Sequence, residues 1–385
     1  MKSFYTLLVS QWLANIGDVL YIVALIALLY QQTGSALMAA SFPIAVTAGL
    51  TLSGFFFARI LSRYSLGKTL VLSQLMKTVT LVLVLFTDSI LVLGLVLFIA
   101  FLDGFARPIQ ASFIPRLTTN RQQVNSLVQG SNQFIQLAMW PLGTMLVSLT
   151  SSAIALIVSL VLFSLSTIVT IYFYQSLTED IVDDETDESI TLRDSLTYVS
   201  TSPFARRVTG FVTYESFVST LWISALLLVY LERHLQVDPG WWGTLNASFL
   251  ISMIAASAYL YRSRRAPSLS STAVLSIVAA LLFGVTEHLA FAILALVIQG
   301  AATQIRIIQT NTVIQEQIPT ARLPYVYSVQ QTGYALAFSV GSLLFGLLAD
   351  GLPIDSVYLL GAFLTLPLIW IGRLTEQSIL TASSV

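Results

Sequence analysis

Long apolar segments follow one another along almost the whole chain, and this feature limits the possible folds more than any other. Each segment has about 20 residues, the length that an α-helix needs to cross the hydrocarbon core of a bilayer. Only 10% of the 385 residues are charged, and the mean hydropathy is +0.82, whereas a soluble domain carries about 25% charged residues. The sequence therefore predicts an integral membrane protein, and its continuous apolar runs exclude a β-barrel, whose strands would alternate.

Breaks between the apolar runs predict about twelve helices, six on each side of one long polar interval. The predicted spans are residues 5–30, 37–60, 68–87, 89–110, 122–148 and 152–175, then 206–231, 240–261, 268–286, 288–311, 322–349 and 354–373. We expect an N-terminal half (1–177), a linker (178–203) and a C-terminal half (204–385). The predicted fold class is an all-α membrane protein of two pseudo-symmetric six-helix halves.

The linker is acidic at its start. It contains seven of the 19 acidic residues of the chain, namely Glu179, Asp180, Asp183, Asp184, Glu185, Asp187 and Glu188. A dense block of like charges cannot pack, so we expect a solvated tether rather than a cation site, which would need spaced ligands and a turn glycine. The pattern of the following residues, 191–200, predicts a short amphipathic helix.

Positive charge is concentrated in alternate turns, which predicts the orientation in the membrane. These turns contain Arg59, Arg63 and Lys68; Arg107, Arg116 and Arg121; Arg262, Arg264 and Arg265; Arg306 and Arg322; and Arg373. Loops rich in Lys and Arg face the cytoplasm. We therefore expect a multi-pass protein of the cell membrane with both termini and the linker in the cytoplasm.

The two halves repeat each other. Arg107 and Gln110 at the end of the fourth span match Arg306 and Gln309 at the end of the tenth, at an offset of 199. A second match, at an offset of 202, relates the fifth span to the eleventh; it pairs Ser126 and Gln129 with Ser328 and Gln331. Internal duplication of this kind is typical of transporters.

Two stretches resemble a known family. The first is Ser10-Gln11-Trp12-Leu13-Ala14-Asn15-Ile16-Gly17-Asp18, with Thr33-Gly34-Ser35 closing the first hairpin, and the second is the turn Ala58-Arg59-Ile60-Leu61-Ser62-Arg63-Tyr64-Ser65-Leu66-Gly67-Lys68. The turn is similar to the Gly-x-Leu-Ala-Asp-Arg-x-Gly-Arg-Lys gate motif of the major facilitator superfamily (MFS). Within that superfamily the chain resembles the macrolide-efflux-like branch of the drug:proton antiporters.

The resemblance implies a major facilitator fold with a gate on the cytoplasmic side. Arg63 and Lys68 match the basic positions of the motif, and we assign them to the gate together with Asp103 and Arg107. Ser62 stands where the family has Asp, so the charge relay that the family anchors at this position lacks its acid. The antiporter signature of the fifth span is also altered: Gly130, Pro141 and Gly143 match it, but Trp140 stands where the family has Gly.

Charged residues at membrane depth need a reason to be there, because each costs a few kcal/mol to insert. Asp18 and Glu215 lie halfway along the first and seventh spans, which the resemblance places around a central cavity. A buried carboxyl group can hold and release a proton, so we assign proton coupling to both, with helix packing as the alternative. Lys77 is a possible charge partner of Asp18, and the i, i+4 spacing predicts a pair between Asp103 and Arg107.

The fifth and eleventh spans each carry one polar or aromatic stripe. The stripes are Asn125, Gln129, Asn132, Gln136 and Trp140 in the fifth span, and Tyr327, Gln331, Tyr334 and Phe338 in the eleventh. Buried amides need partners, so we expect these faces to line a substrate cavity, with packing as the alternative. Such a nearly uncharged wall suits an amphiphilic or weakly cationic molecule better than a phosphorylated sugar, which would need Arg or Lys.

These features predict a secondary transporter that exports hydrophobic or amphiphilic small molecules, of the multidrug or macrolide type, in exchange for protons. The alternatives are a proton symporter or a lipid- or siderophore-type exporter on the same fold, or a transport-inactive scaffold or sensor. We do not expect an enzyme, a cofactor or a metal site: the chain has no Cys, and both His residues lie in predicted outer turns. The expected partners are a substrate, protons and membrane lipids, without nucleic acid, and the protein is expected to be a monomer.

Overall fold

The structure of the chain, a computed structural model, describes residues 2–33, 36–87, 91–177, 190–222, 224–263 and 266–382. Within these ranges all regular structure is helical. The acidic block of the linker lies outside them, as do Asp88, Arg264 and Arg265 and part of the first hairpin. The predictions on those residues therefore stay predictions.

The described ranges contain fourteen α-helices, numbered in chain order. They are α1 (Lys2–Thr33), α2 (Ala36–Leu61), α3 (Leu66–Leu85), α4 (Leu91–Leu117), α5 (Arg121–Leu149), α6 (Ser152–Gln175), α7 (Leu192–Thr201), α8 (Pro203–Ser219), α9 (Ser224–Tyr230), α10 (Trp241–Arg262), α11 (Leu269–Val285), α12 (Leu289–Gln317), α13 (Leu323–Gly351) and α14 (Ile354–Ala382). Short 3₁₀ turns at Thr220–Trp222 and Thr320–Arg322 and a π-helical turn at Leu231–Leu235 complete the set.

Among the described helices, nine are long and apolar enough to cross a membrane, and a tenth span arises if α8 and α9, which meet at a bend of 41°, are counted together. The other two predicted spans correspond to α5 and α11. α11 has only 17 residues, and α5 has 29 residues but a polar stripe that lowers its hydropathy. The chain is therefore a multi-pass membrane protein, with helices at all twelve predicted positions.

The helices form two compact units that exchange short segments. The first unit contains Met1–Thr119, Ile135–Thr197 and Pro319–Thr332, and the second contains Asn120–Phe134, Tyr198–Ile318 and Gly333–Val385. The beginning of α5 thus packs with the C-terminal helices, and the beginning of α13 packs with the N-terminal helices. Each exchanged segment is the first half of a helix that carries one of the two stripes.

Helix packing follows the same order in both units. In the first unit α1 packs on α6, α2 packs on α4, and α3 packs on both α4 and α6. In the second unit α8 packs on α14, α10 packs on α12, and α11 packs on both α12 and α14. Numbered within each half, these are the same pairs of spans: first with sixth, second with fourth, and third with fourth and sixth. The internal repeat read from the sequence is therefore also a repeat of packing.

Glycines set the closest helix approaches. In the first unit a Cβ atom at Gly49 of α2 would collide with the Leu97 carbonyl of α4. In the second unit a Cβ atom at Gly300 of α12 would lie 2.5 Å from the Phe249 carbonyl oxygen of α10. Close backbone approach at small residues is how transmembrane helices gain packing energy, because lipid gives them no hydrophobic drive to associate.

The linker helix α7 is fixed at its start by a local capping arrangement. The Thr191 backbone N–H and hydroxyl both donate to the Asp194 carboxylate, at 2.9 and 2.6 Å. These hydrogen bonds lower the pKa of Asp194, so their stabilising effect is present at neutral pH and is lost as the pH falls through the lowered value. Just before the cap, Ile190 is buried in a hydrophobic cluster of the first unit that also contains Phe173. The linker therefore packs against the first unit at Ile190.

The last residue of α9 and the π-helical turn after it contact carbonyl groups at the ends of two other helices. The Tyr230 hydroxyl donates to the Phe283 carbonyl at 2.7 Å, and His234 Nε2 lies 2.9 Å from the Thr286 oxygen, both at the end of α11. Arg233 Nη1 donates to the Ala349 carbonyl of α13 at 3.0 Å. Helix ends leave carbonyls without partners, and cationic donors suit them. One turn therefore ties three spans of the second unit together.

We predict that Gly300→Ala lowers the melting temperature of the purified protein in detergent, because the added methyl group would force α10 and α12 apart. Gly210→Ala is the matched control: Gly210 is also helical and lies in the same unit, but no atom lies within 4 Å of a Cβ built there. The control should be neutral or slightly stabilising, since Ala has the higher helix propensity. Equal melting temperatures for the two variants would contradict the packing role of Gly300.

Candidate functional site

The first unit contains a buried ion cluster built from three helices. Lys77 of α3 is only 2% exposed, and its Nζ lies 2.6 Å from Asp18 Oδ1 of α1 and 2.7 Å from Asp103 Oδ1 of α4. The ammonium group donates a hydrogen bond to Asp103. The predicted pairing of Lys77 with Asp18 is thus present, with Asp103 as a second partner that was not predicted.

An aromatic ring covers the same ammonium group. Lys77 Nζ lies 4.5 Å from the centre of the Phe163 ring of α6, a distance at which the ring face attracts a cation. The ring can approach because α1 has Gly17 beside it, where a Cβ atom would lie 2.6 Å from the ring. Four helices of the first unit therefore surround one positive charge.

The cluster has one more negative charge than positive charge when all three groups are ionised. The side chains of Asp18 and Asp103 are 19% and 15% exposed, so each carboxylate retains limited access to solvent. Ion pairs removed from water are stable only when charge and hydrogen bonds are well compensated. A site with a surplus carboxylate charge favours binding of a proton or of another cation.

The second unit contains a balanced ion pair. Arg306 Nη2 of α12 lies 3.2 Å from Glu215 Oε1 of α8. Arg306 also donates to the Thr272 carbonyl at 3.0 Å and the Ser276 hydroxyl at 2.8 Å, both on α11. The sequence placed Arg306 in a cytoplasmic turn, but its side chain is buried, and this partner of Glu215 was not predicted.

The two sites occupy equivalent places in the repeat. An offset of 199 relates Lys77 to Ser276, and Asp18 corresponds to Glu215 at an offset of 197. The same offset of 199 relates Arg107 to Arg306, yet Arg107 is exposed whereas Arg306 is buried. The cation therefore comes from the third span in one unit and from the fourth span in the other.

The residues assigned to the gate do not pair with one another in the described ranges. Asp103 pairs with Lys77 rather than with Arg107, and Arg107 makes none of the ion pairs in the described ranges. The expected Asp103–Arg107 pair is therefore wrong: the two residues have the right spacing, but a cation on a neighbouring helix lies closer. Arg63 and Lys68 are exposed at the turn between α2 and α3.

The stripe of α5 begins buried in the second unit. Asn125 is 2% exposed, and its Nδ2 donates to Gln315 Oε1 at 2.9 Å and to the Thr312 hydroxyl at 3.1 Å, both on α12. One turn earlier, Gln122 donates to the Leu260 and Ser263 carbonyls at the end of α10. The start of this stripe is therefore a helix contact, in agreement with the packing alternative for Asn125.

Exposure rises along the stripe toward the end of α5. Gln129 and Asn132 are half-buried, whereas Gln136 and Trp140 are exposed. The stripe of α13 shows the same trend, with Tyr327 buried, Gln331 half-buried and Tyr334 exposed. The Tyr334 and Phe338 rings lie almost parallel, with centres 6.1 Å apart. The later part of each stripe is therefore its more exposed part.

Gln331 fills a gap that a proline leaves in α4. Pro108 has no N–H, so the carbonyl of Gly104, four residues earlier, lacks its usual helical donor. Gln331 Nε2 donates to that carbonyl at 3.3 Å. The Thr320 carbonyl accepts from the Leu323 N–H of its own turn and also from Arg116 Nη2, at 3.2 Å. These two contacts join α4 to Thr320 and to the beginning of α13 within the first unit.

The described residues contain no group of three His, Cys, Asp or Glu side chains that could hold a metal ion. No protein-family model matches the chain. It is similar to two uncharacterized MFS-type transporters of Bacillus subtilis (strain 168). YfmI is 20% identical over 382 residues, covering 95% of this chain and 94% of that protein. YjbB is 26% identical over 347 residues, covering 83% and 82%.

Solved structures of transporters share the fold over nearly the whole chain. The human organic anion transporter MFSD10 (TETRAN) superimposes with a TM-score of 0.77 at 13% identity, covering 96% of this chain and 98% of that one. The E. coli fucose:proton symporter FucP gives 0.76 at 13%, covering 97% and 98%. A bacterial homologue of the iron transporter ferroportin, in an outward-facing state, gives 0.75 at 14%, covering 98% and 99%. At these identities the likeness shows the fold alone.

We predict that Gln331→Leu lowers the melting temperature of the otherwise unchanged protein but has a smaller effect in a Pro108→Ala background. The alanine introduced in that background supplies the N–H that the Gly104 carbonyl lacks, so the amide of Gln331 becomes dispensable there. Hydrogen bonds between transmembrane helices contribute about 0.6 kcal/mol on average, so the difference is small but measurable as a double-mutant cycle. Additive effects of the two substitutions would contradict the assigned role of Gln331.

Proposed function

We propose that this chain, a transporter of the MFS type by its relatives and its fold, exports a hydrophobic or amphiphilic molecule in exchange for protons. The observation that supports this proposal best is the buried cluster of Asp18, Lys77 and Asp103. Its surplus negative charge can be neutralised by a proton or by the cationic part of a substrate. Binding of one cation removes the electrostatic reason to bind the other, and this competition is what an antiporter needs.

The proton-binding step follows from the low polarity around the cluster. Without a substrate, the uncompensated carboxylate charge favours uptake of a proton from whichever side has access. Lys77 stays between the two carboxylates and can shift its hydrogen bond toward the one that remains ionised. A cationic substrate that reaches the partly exposed oxygens of Asp18 or Asp103 stabilises the ionised form of both carboxyl groups. The proton then dissociates.

The later parts of the α5 and α13 stripes are the proposed substrate surfaces. Gln136, Trp140 and Tyr334 are exposed, and Phe338 stacks beside Tyr334. Amide and aromatic groups without a basic residue suit an amphiphilic molecule with little or no negative charge. Half-buried Gln129 and Asn132 lie earlier on the α5 stripe and remain secondary candidates for substrate contact.

Alternating access requires that helices contributing to both units change their contacts during the cycle. α5 and α13 are those helices, so we propose that the Asn125–Gln315 and Gln331–Gly104 hydrogen bonds break and re-form. Both termini are proposed to be cytoplasmic. The exposed Arg63 and Lys68 are then proposed to act at the cytoplasmic side, where Ser62 hydrogen-bonds only to its own helix, at the Arg59 carbonyl.

A proton symporter is the second candidate, because the same cluster would serve it if substrate and proton bound together. The fucose:proton symporter FucP has this fold. A lipid- or siderophore-type exporter would differ from the main proposal in its substrate, and a transport-inactive scaffold would show no flux. The direction of substrate movement under an imposed pH gradient separates export from symport.

We predict that Asp18→Asn and Asp103→Asn each abolish pH-driven accumulation of ethidium, a lipophilic cation, in everted membrane vesicles. Either substitution leaves Lys77 paired with a single carboxylate and removes the surplus charge that binds the proton. Movement of ethidium down its own gradient should persist, because the stripes are unchanged. Asp350→Asn, at an exposed position, is the control and should pump normally. Wild-type pumping by both cluster variants would show that coupling does not use this site.

A further inference from the structure

The two units differ in the charge of their buried ion sites although the sites are repeat-equivalent. We propose that the Asp18–Asp103 pair takes up one exchangeable positive charge per cycle, whereas Glu215–Arg306 takes up none. The protein would then exchange one proton for one monovalent cation. This stoichiometry rests on the proposed function. The number of protons that each site holds does not depend on transport and can be tested separately.

The charges of the first unit leave one negative charge that one additional cation can neutralise. The Oδ1 atoms of Asp18 and Asp103 both lie against Lys77 Nζ, at 2.6 and 2.7 Å, which holds the two carboxylates close together. Neither Oδ2 atom accepts a hydrogen bond from the part of the chain that the structure describes. The two free oxygens belong to carboxylates already held together by one ammonium group, so a proton on either one neutralises the whole cluster.

No second buried cation is available to take over this role in the first unit. Lys77 is the one buried basic side chain of that unit among the described residues. The other ionisable residues with described side chains on the helices that pack around the cluster are Lys2, Tyr5 and Tyr21 on α1, Arg59 on α2, Lys68 on α3, Arg107 and Arg116 on α4, and Tyr172 and Tyr174 on α6. Arg107 is exposed, and its charge acts on Asp18 less strongly than the charges of Lys77 and Asp103 do; Tyr21 is neutral at physiological pH.

The second unit is arranged to keep its charges fixed. Arginine does not lose its proton in proteins, and Arg306 is held by Thr272, Ser276 and Thr303 as well as by Glu215. Protonating Glu215 would leave a buried guanidinium without a counter-charge, which is strongly unfavourable. The other ionisable residues on the packed helices are Arg206, Arg207 and Tyr214 on α8, Glu316 on α12, and Asp355, Tyr358, Arg373 and Glu376 on α14; α11 has none.

Two positions in the repeat account for the difference in charge between the two buried ion sites. Where the first unit has Lys77 and Asp103, the second has Ser276 and Ala302 at the offset of 199. In the second unit the cation therefore comes from Arg306, and no second acid is present beside it. The ion site of the first unit has one more acidic residue than the ion site of the second unit, and that residue is the source of its exchangeable charge.

The number of charges exchanged determines which gradient can drive transport. Exchange of one proton for one monovalent cation moves no net charge across the membrane. A pH gradient would drive it, and a membrane potential would not, because the potential acts only on net charge movement.

The test counts buried protonated carboxyl groups directly, without a substrate. Purified protein in detergent is titrated from about pH 5 to about pH 9, where unperturbed carboxyl groups are ionised, and the C=O stretch of protonated carboxyl groups is recorded by infrared difference spectroscopy. We expect one titrating carboxyl group in the unaltered protein. Asp18→Asn and Asp103→Asn should each remove the whole signal, because either leaves a balanced pair with Lys77. Glu215→Gln and the exposed control Asp350→Asn should leave it unchanged.

A variant whose carboxyl signal increases shows that the loss of signal in the Asn variants is not caused by unfolding. Lys77→Met leaves two acids without a cation, so its carboxyl signal should be about twice that of the unaltered protein. The proposal is overturned if the unaltered protein shows no such signal or two protons, or if Glu215→Gln removes the signal. Vesicles with an imposed membrane potential but no pH gradient test the stoichiometry: because ethidium, a cation, follows the potential by itself, ethidium accumulation beyond that of vesicles without the protein would overturn one-for-one exchange. A single carboxyl signal without any ethidium transport would instead refute the proposed export of this substrate and leave the proton site standing.

Discussion

A charge inside a membrane-spanning bundle is stable only where another charge and hydrogen-bonding groups compensate it, and the first unit depends on one such charge. Lys77 holds the middle of α1 and α4 against α3, and the Phe163 ring of α6 covers it. Removing one partner of a buried ion pair typically costs about 3–5 kcal/mol. The cluster therefore fixes the register of these helices and, at the same time, contains one more carboxylate than ammonium group.

The same requirement shapes the polar contacts of the exchanged segments. Backbone carbonyls without partners are costly in the membrane. In α4 the proline that frees the Gly104 carbonyl is matched by Gln331 of α13, so the break in one helix becomes an attachment point for another. At the start of α5 the contact is made by side-chain amides instead, between Asn125 and Gln315. Both attachments are uncharged, so separating them in an alternating cycle need not expose an unpaired ion.

The sequence predicted what depends on local pattern. Apolar runs of span length gave the helices, and the depth of Asp18 and Lys77 in their spans suggested the pair that the structure contains. The partner of Asp103 could not be found this way, because spacing along one helix does not show which way Arg107 points or which cation a neighbouring helix brings. The burial of Arg306 could have been predicted. The repeat offset places Ser276 at the position equivalent to Lys77, so a cation beside Glu215 has to come from another residue. Whether Asn125 faced a cavity or α12 depended on packing between distant segments.

The sequence also did not show that the first and the later residues of each stripe differ in exposure. Regular spacing marked one polar face on α5 and one on α13, and it gave every position of a face the same weight. The structure distinguishes them by exposure: the first residue of each stripe is packed, and the later ones are more accessible. In both helices the first part belongs to one unit and the later part to the other.

The exchange of segments also bears on how the protein is made. The first unit includes Pro319–Thr332, which the ribosome synthesises long after the rest of that unit. Until then the Gly104 carbonyl has no donor from Gln331, and the Phe57 ring lacks the edge contact with Tyr325. The earlier half must wait in the bilayer with an incomplete surface, so the last spans to be inserted complete the folding of the first ones.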